Sequence, residues 1–360
     1  MSRVESKNLF NFPLTGLYDD DVAKQGAEMQ QKMFQSKEGM EIMTKMMEAL
    51  QKDDEKSNME YVKMIRIFMD DIMKPMMDHP TYNKSMEEIV EKDIKVPTNH
   101  DGKFDVPVFT YTPKTFQNKN KARAAYIYAH GGGGVGIEAA TYKPMLCHYA
   151  VELDVIIFNV DYRLAPETKC PNNVKDFYEV IRYVRENADS LGVDPNRIVI
   201  GGESGGGYIC LGATVLLAQN DEGDWIKLAM PNIPMVDDYT FTDTAAMTKE
   251  EKENNPGMRK CWKLIAADFE IQKSDPLLFP GKASDELLQK FPPTIVEESE
   301  FDMFITEATR LAYRLRAAGR LLEFMVIPGG KHGSAMDPRM KCFKTAMEAR
   351  KLAFQHYVHN

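Results

Sequence analysis

Gly202-Glu203-Ser204-Gly205-Gly206 has the pattern G-x-S-x-G. It lies between a short strand-like run, Arg197–Ile200, and an apolar helical stretch, the setting in which that pattern carries chemistry. A serine on a sharp strand-to-helix turn projects its hydroxyl above a sheet, and glycines two residues before and after it let the two backbones pass closely. The helix beginning there aims its first amides at the serine, which favours developing negative charge. A serine hydroxyl is a weak nucleophile, so the chemistry needs a neutral imidazole to take its proton and a carboxylate to hold the imidazole in one tautomer. A glycine-rich loop with an incidental serine would lack both partners.

Both partners are available downstream. Of the seven histidines, His79, His100, His356 and His359 lie in polar or terminal contexts and His148 falls inside a helical stretch. His130 and His332 sit on glycine loops at strand ends. The run Thr294–Glu297 leads into Glu298-Ser299-Glu300-Phe301-Asp302, and Leu321–Ile327 leads into Pro328-Gly329-Gly330-Lys331-His332-Gly333. His332 follows the acidic loop, whereas among Glu298, Glu300 and Asp302 the residues themselves do not choose. An oxyanion formed at the serine would need donors, and His130-Gly131-Gly132-Gly133 ends the strand Ala124–Ala129. A glycine run there lets backbone N–H groups converge without side-chain obstruction, so Gly132 and Gly133 are candidates together with the amide of Gly205.

The elements that must position these groups follow from periodicity. Residues 1–90 hold 14 of the 24 methionines, and Met29, Met33, Met40, Met43, Met47 and Leu50 recur on one helical face. A second helical stretch, Met59 to Met77, is expected to stop near Pro75 and Pro80. Such methionines either pack as ordinary core or form a pliable wall over a site, methionine being flexible and polarisable. Ile94–Val96 and Val106–Tyr111, with Asn99-His100-Asp101-Gly102 between them, read as a hairpin. Strands and helices then alternate: Ala124–Ala129, a helix around Tyr142–Leu153, Val155–Val160, a helix from Val174 to Asn187, Ile198–Ile200, and a helix from Gly206 to Ala218. After Leu228–Met230 the alternation breaks for an excursion, and it resumes at Thr294 with a helix from Ile305 capped by Gly319, Leu321–Ile327 and a last helix from Pro338 to His356. The expected fold is α/β, a mostly parallel sheet with helices on both faces. The chain divides into an N-terminal helical segment (1–90), a core (91–234), an excursion (235–275) and the rest of the core (276–360).

Composition narrows the partners. The 360 residues carry 45 Lys and Arg against 54 Asp and Glu, a formal charge of -9, which is the wrong sign for a nucleic-acid surface. Residues 1–90 hold 12 basic and 17 acidic side chains, a balance that anionic lipid repels. No run approaches 18 apolar residues and Met1 to Asn11 carries no apolar core, so a cytoplasmic protein without stable membrane insertion is expected. Five dispersed cysteines with no C-x-x-C pair fit a reducing compartment and give no zinc pattern. Gly134-Val135-Gly136-Ile137-Glu138-Ala139 matches the dinucleotide fingerprint G-x-G-x-x-A and precedes a strand ending at Asp161. Against a dinucleotide-dependent oxidoreductase, Pro144 is expected to interrupt the helix start, and four successive glycines suit backbone exposure better than one tight turn.

Taken together these motifs resemble those of the hormone-sensitive-lipase-like esterases, the α/β-hydrolase family that includes bacterial family IV esterases, plant carboxylesterases and arylacetamide deacetylase. The likeness covers about residues 120–335. Its carriers are His130-Gly131-Gly132-Gly133; Asp161-Tyr162-Arg163-Leu164-Ala165-Pro166-Glu167; Asp194-Pro195 and Arg197-Ile198 before the serine motif; Asp302 with Glu307; and Leu315-Arg316-Ala317-Ala318-Gly319 before His332-Gly333.

The resemblance implies hydrolysis of short- to medium-chain acyl or aryl esters through an acyl-enzyme, with no cofactor and no metal, and a cap built from an N-terminal helical segment (1–90) and an insertion (235–275). It implies Ser204 as nucleophile, Asp302 as the acid, His332 as the base, and Gly132, Gly133 and Gly205 as oxyanion donors. The charged loop Asp161–Glu167 reads as structural bracing. Four positions depart from the family pattern. Gly134 replaces a bulky apolar residue, Gly205 an alanine, Thr306 an aspartate and Ser334 a phenylalanine; these changes are expected to widen or loosen the loops. Relatives that have become small-molecule receptors typically lose the histidine that is present here as His332, and eliminase or cyclase relatives keep the serine without hydrolysis. No basic amphipathic helix points to action on dispersed fat. Oligomeric state stays open, a homodimer included.

Overall fold

The computed structural model describes residues 36–117, 121–238 and 256–360. Three helices, α1 (Lys37–Leu50), α2 (Glu55–Met77) and α3 (Pro80–Met86), precede the antiparallel hairpin β1 (Ile89–Thr98) and β2 (Phe104–Pro113). The alternating part contains β3 (Arg123–Ala129), α4 (Lys143–Glu152), β4 (Ile156–Val160), α5 (Asn172–Glu186), β5 (Val193–Glu203), α6 (Gly205–Gln219) and β6 (Leu228–Asn232). Helix α7 (Pro256–Ile265) stands in the excursion, and β7 (Thr294–Ser299), α8 (Ile305–Ala317), β8 (Leu321–Ile327) and α9 (Lys341–Phe354) complete the order.

The eight strands form one sheet in the order β1-β2-β4-β3-β5-β6-β7-β8. β2 pairs antiparallel with β4, and every pair from β4 to β8 is parallel. Parallel strands joined by helical crossovers are covered on both faces, which explains why β3 is buried without alternation from Ala124 to Ala129. Ala125, Ile127 and Ala129 join the core cluster with α5 and α6, while Ala124, Tyr126 and Tyr128 join the cluster with α4 and α9. Helix α6 is buried along residues 205–218, as expected of a helix running beneath the sheet's centre without a polar face. Gly319 takes φ 71°, and the Arg320 amide donates to the Leu315 carbonyl at 2.9 Å, the left-handed cap expected after α8.

The N-terminal helices differ from expectation in detail. Met29 and Met33 lie outside the described residues. In α1 the buried side chains are Met46 and Ala49, flanked by half-buried Ile42, Met43 and Leu50, while Met40 is 51% exposed. The inward stripe is therefore rotated from the methionine pattern. Helix α2 starts earlier than expected, at Glu55, and ends at Met77 as expected, between Pro75 inside its last turn and Pro80, which opens α3, where a missing N–H costs no helical bond. The excursion is described from Pro256 onward and up to Asp238, its middle lying outside the described residues. No helix among the described residues is long and apolar enough to cross a membrane.

Candidate active site

Ser204 occupies the turn between β5 and α6 with φ 57° and ψ -117°, a conformation that costs a non-glycine residue energy and is kept where the surroundings fix it. Its amide donates to the Asn232 carbonyl at 3.0 Å, and its carbonyl accepts from Tyr208 and Met235 amides at 3.1 and 3.2 Å. Strand and helix meet tightly: a Cβ on Gly202 would lie 2.4 Å from the Ala129 carbonyl oxygen, and one on Gly206 would lie 2.0 Å from the same atom.

The loop after β8 brings His332 to this turn. Its Nε2 lies 2.8 Å from Ser204 Oγ, and its Nδ1 lies 2.9 and 3.1 Å from the two Asp302 oxygens. A carboxylate only accepts, so Nδ1 carries the proton and Nε2 is left to accept from the serine hydroxyl. Asp302 is 4% exposed and also accepts from the Phe304 amide at 2.9 Å, and the Phe304 ring stands edge-on to the imidazole. Ser334 accepts from the Lys331 amide at 2.7 Å and donates to the Lys331 carbonyl at 2.8 Å, closing the loop around the histidine. Burial pulls the Lys331 ammonium down to about 8.

The rival acids have other partners. Glu300 accepts from the Gly329 amide at 2.8 Å. Glu298 is fully buried and accepts from the Ser299 amide at 3.0 Å; burial first, and then the Asp302 charge, hold its carboxyl well above the usual range. Glu307 accepts from the Val236 amide at 2.8 Å, tying α8 to the chain after β6.

The glycine loop after β3 stands on the other side of the serine. Gly132, Gly133 and Gly134 have φ 106°, 63° and 69°. A Cβ on Gly205 would lie 2.5 Å from the Gly134 nitrogen and 2.6 Å from that of Gly133, and one on Gly134 would lie 3.2 Å from Ile265 Cδ1 in α7. The expectation that these two glycines open the site is thus overturned: the space a side chain would fill is taken by the loop backbone in one case and by α7 in the other.

The same loop disposes of the dinucleotide alternative. Pro144 sits within the first turn of α4 and interrupts nothing, contrary to expectation. What separates the fingerprint from a helix is a 3-10 turn, Ala139–Tyr142, and Met69 Sδ comes 3.0 Å from a Cβ placed on Gly136, covering the face a pyrophosphate would need. Among the described residues no three His, Cys, Asp or Glu side chains are grouped to hold a metal.

His130 is the second loop histidine and has no contact with the serine. It is buried, its Nδ1 donates to the Gly131 carbonyl at 2.9 Å, and its ring stacks on Tyr162 at 4.4 Å; burial pushes its pKa down to about 4. The charged loop 161–167 works as a brace. Tyr162 donates to the His130 carbonyl at 2.7 Å, Arg163 binds Asp176 through two nitrogens at 2.9 and 2.8 Å, and Glu167 pairs with Arg66.

Sequence reasoning missed the charges beneath the serine. Arg350 of α9 is 2% exposed and holds both oxygens of buried Glu297 at 2.8 and 2.6 Å, with Glu203 3.7 Å away. Glu203 accepts from Tyr128 and, at 3.2 Å, from Tyr149, and its carboxyl is raised by burial against the opposing pull of Arg350. The available signal was an arginine on the apolar face of α9 beside Ala346, Met347 and Ala353. Arg66, inside the apolar run Met64–Met69, was a second such signal.

The α/β-hydrolase fold family matches residues 126–336. Carboxylesterase NlhH of Mycobacterium tuberculosis is 30% identical over 243 residues, 65% of this chain and 72% of that protein. An arylesterase of Saccharolobus solfataricus is 32% identical over 197 residues, 53% of this chain and 61% of the relative. Among solved structures, a bacterial heroin esterase superposes with a TM-score of 0.70 at 27% identity, covering 82% of this chain and 91% of its own. With more than half its length matched, the chain belongs to the α/β-hydrolase fold family, in the hormone-sensitive-lipase-like branch whose motifs it carries.

Proposed function

We propose that the protein is a serine carboxylesterase acting on short- to medium-chain acyl or aryl esters. The observation that carries the reading is the unbroken hydrogen-bonded series from Ser204 through His332 to buried Asp302. Ser204 Oγ attacks the ester carbonyl as its proton passes to His332 Nε2, and Asp302 stabilises the imidazolium. The oxyanion is received by the amides of Gly132, Gly133 and Gly205, the last at the start of α6, where helix amides have no internal partner. His332 returns the proton to the departing alcohol. It then takes a proton from water, which attacks the acyl-enzyme, and the carboxylic acid leaves with Ser204 restored.

Residues 1–90 and 235–275 form the cap in this reading, on a core of 91–234 and 276–360. What supports that division is the contact of both cap pieces with the glycine loop, α2 through Met69 and α7 through Ile265. The relatives named as esterases support the same activity.

The test is p-nitrophenol release from p-nitrophenyl esters, acetate through decanoate, by the protein and by Ser204→Ala. Turnover that peaks at one chain length and disappears in the variant is expected. Equal rates in both proteins would overturn the reading and return the receptor and non-hydrolytic alternatives to first place.

A further inference from the structure

We propose that Arg66, on cap helix α2, is a positioning residue that sets the orientation of the Gly133 amide, making the cap part of the apparatus that receives the oxyanion; this rests on the esterase reading above.

Each peptide plane carries its C=O and N–H in opposite directions. The Gly132 carbonyl accepts from both the Val135 amide at 3.1 Å and the Gly136 amide at 2.9 Å. That carbonyl shares its plane with the Gly133 N–H, so these two donors fix where Gly133 points. Each donor plane is anchored at its other end. The Val135 carbonyl, in the plane of the Gly136 N–H, accepts from Arg66 Nε at 2.8 Å. The Gly134 carbonyl, in the plane of the Val135 N–H, accepts from the Ala165 amide at 2.9 Å. Arg66 Nη2 in turn donates to the Ala165 carbonyl at 3.2 Å. One guanidinium therefore holds the Val135 anchor directly and bears on Ala165 through its carbonyl, one peptide beyond the anchoring amide.

Arg66 is itself oriented by Glu167, which takes Nη1 at 2.9 Å and Nη2 at 2.8 Å. Glu167 is about half exposed, so the pair adds little stability as an ion pair. A bidentate fork fixes direction, however, and a planar guanidinium can serve carboxylate, Val135 and Ala165 together where an ammonium cannot. The loop needs an outside hold because glycines at 131–134 impose no conformation of their own.

The test compares kcat, KM and inhibition by an alkyl trifluoromethyl ketone in the protein and in Arg66→Met, using p-nitrophenyl butyrate. The ketone's hemiketal oxyanion occupies the place of the reaction's oxyanion. Deleting a whole oxyanion donor costs about 10²–10³ in kcat, so misorienting one is expected to lower kcat about tenfold or more, weaken the ketone by a similar factor and leave KM within about threefold. If KM rises while kcat and ketone inhibition stay unchanged, Arg66 merely docks the cap and the proposal fails. Should Arg66→Met not fold, Arg66→Lys gives the same decision, since its single ammonium cannot grip the carboxylate and both carbonyls. Wild-type turnover that Ser204→Ala abolishes, combined with unaltered Arg66 variants, rejects this inference and spares the esterase reading. Absence of wild-type turnover rejects the reading itself and this inference with it.

Discussion

In the sheet core, the groups around Ser204 are held by backbone: strand ends in parallel register, carbonyls meeting glycines, loops closed by amides. In the proposed cap, apolar packing against the sheet's cluster is joined by hydrogen bonds from the far ends of long side chains. Lys260 of α7 reaches the Ala49 carbonyl at 3.0 Å and that of Lys52, Lys263 meets Asp53, and Arg66 reaches the glycine loop. Backbone contacts are short, stiff and few in alternatives, while long side chains surrender much rotamer freedom for each bond. The core should therefore tolerate little displacement near the serine, and the cap should open at lower cost.

The most severe test of the core side is Asp302→Asn. An asparagine keeps the shape but lets the amide donate to Nδ1, which turns Nε2 into the N–H and ends its ability to accept the serine proton. A loss of about 10⁴ in kcat is expected, with KM little changed, measured on a p-nitrophenyl ester. A loss under tenfold would mean that another carboxyl, Glu298 being the nearest candidate, takes over the histidine.

His130 tests the core's rigidity through pH. Its folded pKa of about 4 lies below the unfolded 6.5, so between those values the unfolded chain binds the extra proton. The neutral ring's contribution is present above pH 6.5 and is lost as pH falls toward 4, amounting to about 3 kcal/mol at about 1.4 kcal/mol per pH unit. Denaturant unfolding across that window should show a slope that His130→Gln lessens. An unchanged slope would mean that water reaches the ring and that the loop root is looser than its packing.

Gly205→Ala tests the seam between the two regions. Alanine is the usual family residue there, yet its Cβ would come within 2.6 Å of two loop nitrogens. The loop cannot retreat freely, because Ile265 stands behind Gly134. A loss of about 10² in kcat is expected from displaced oxyanion donors. Unimpaired activity would show that α7 yields, placing the seam with the cap.

The core's elements and the serine, histidine and glycine positions were legible because each rests on a local rule: continuous apolar runs alternating with helical stretches, a glycine pair at a close crossing, a motif at a strand end. Asp302 was not separable from Glu298 and Glu300 by residue type, since which carboxyl meets Nδ1 depends on where the loop turns. The cap was legible only as helices. The end of α2 at Met77 was legible from Pro75 and Pro80, but the α1 stripe was misplaced because its neighbours lie far away in the chain. Glu203, Glu297 and Arg350 neutralise one another across 53 and 147 residues, a relation no local pattern contains.

The mildest perturbation, Lys260→Met, separates cap from core most directly. Methionine keeps the length of the apolar stem but leaves the Ala49 and Lys52 carbonyls without the ammonium, a loss of about 1.5–3 kcal/mol for hydrogen bonding to a charged donor. Tyr61, whose ring centre lies 5.8 Å from the Lys260 ammonium, should retain its packing against the thioether. If the cap opens as its own unit, hydrogen exchange of amides in α1 should quicken about tenfold while those of β3 and β5 keep their rates. Equal acceleration in the strands would mean that cap and sheet unfold together, and the contrast between a stiff core and a separately opening cap would have to be given up.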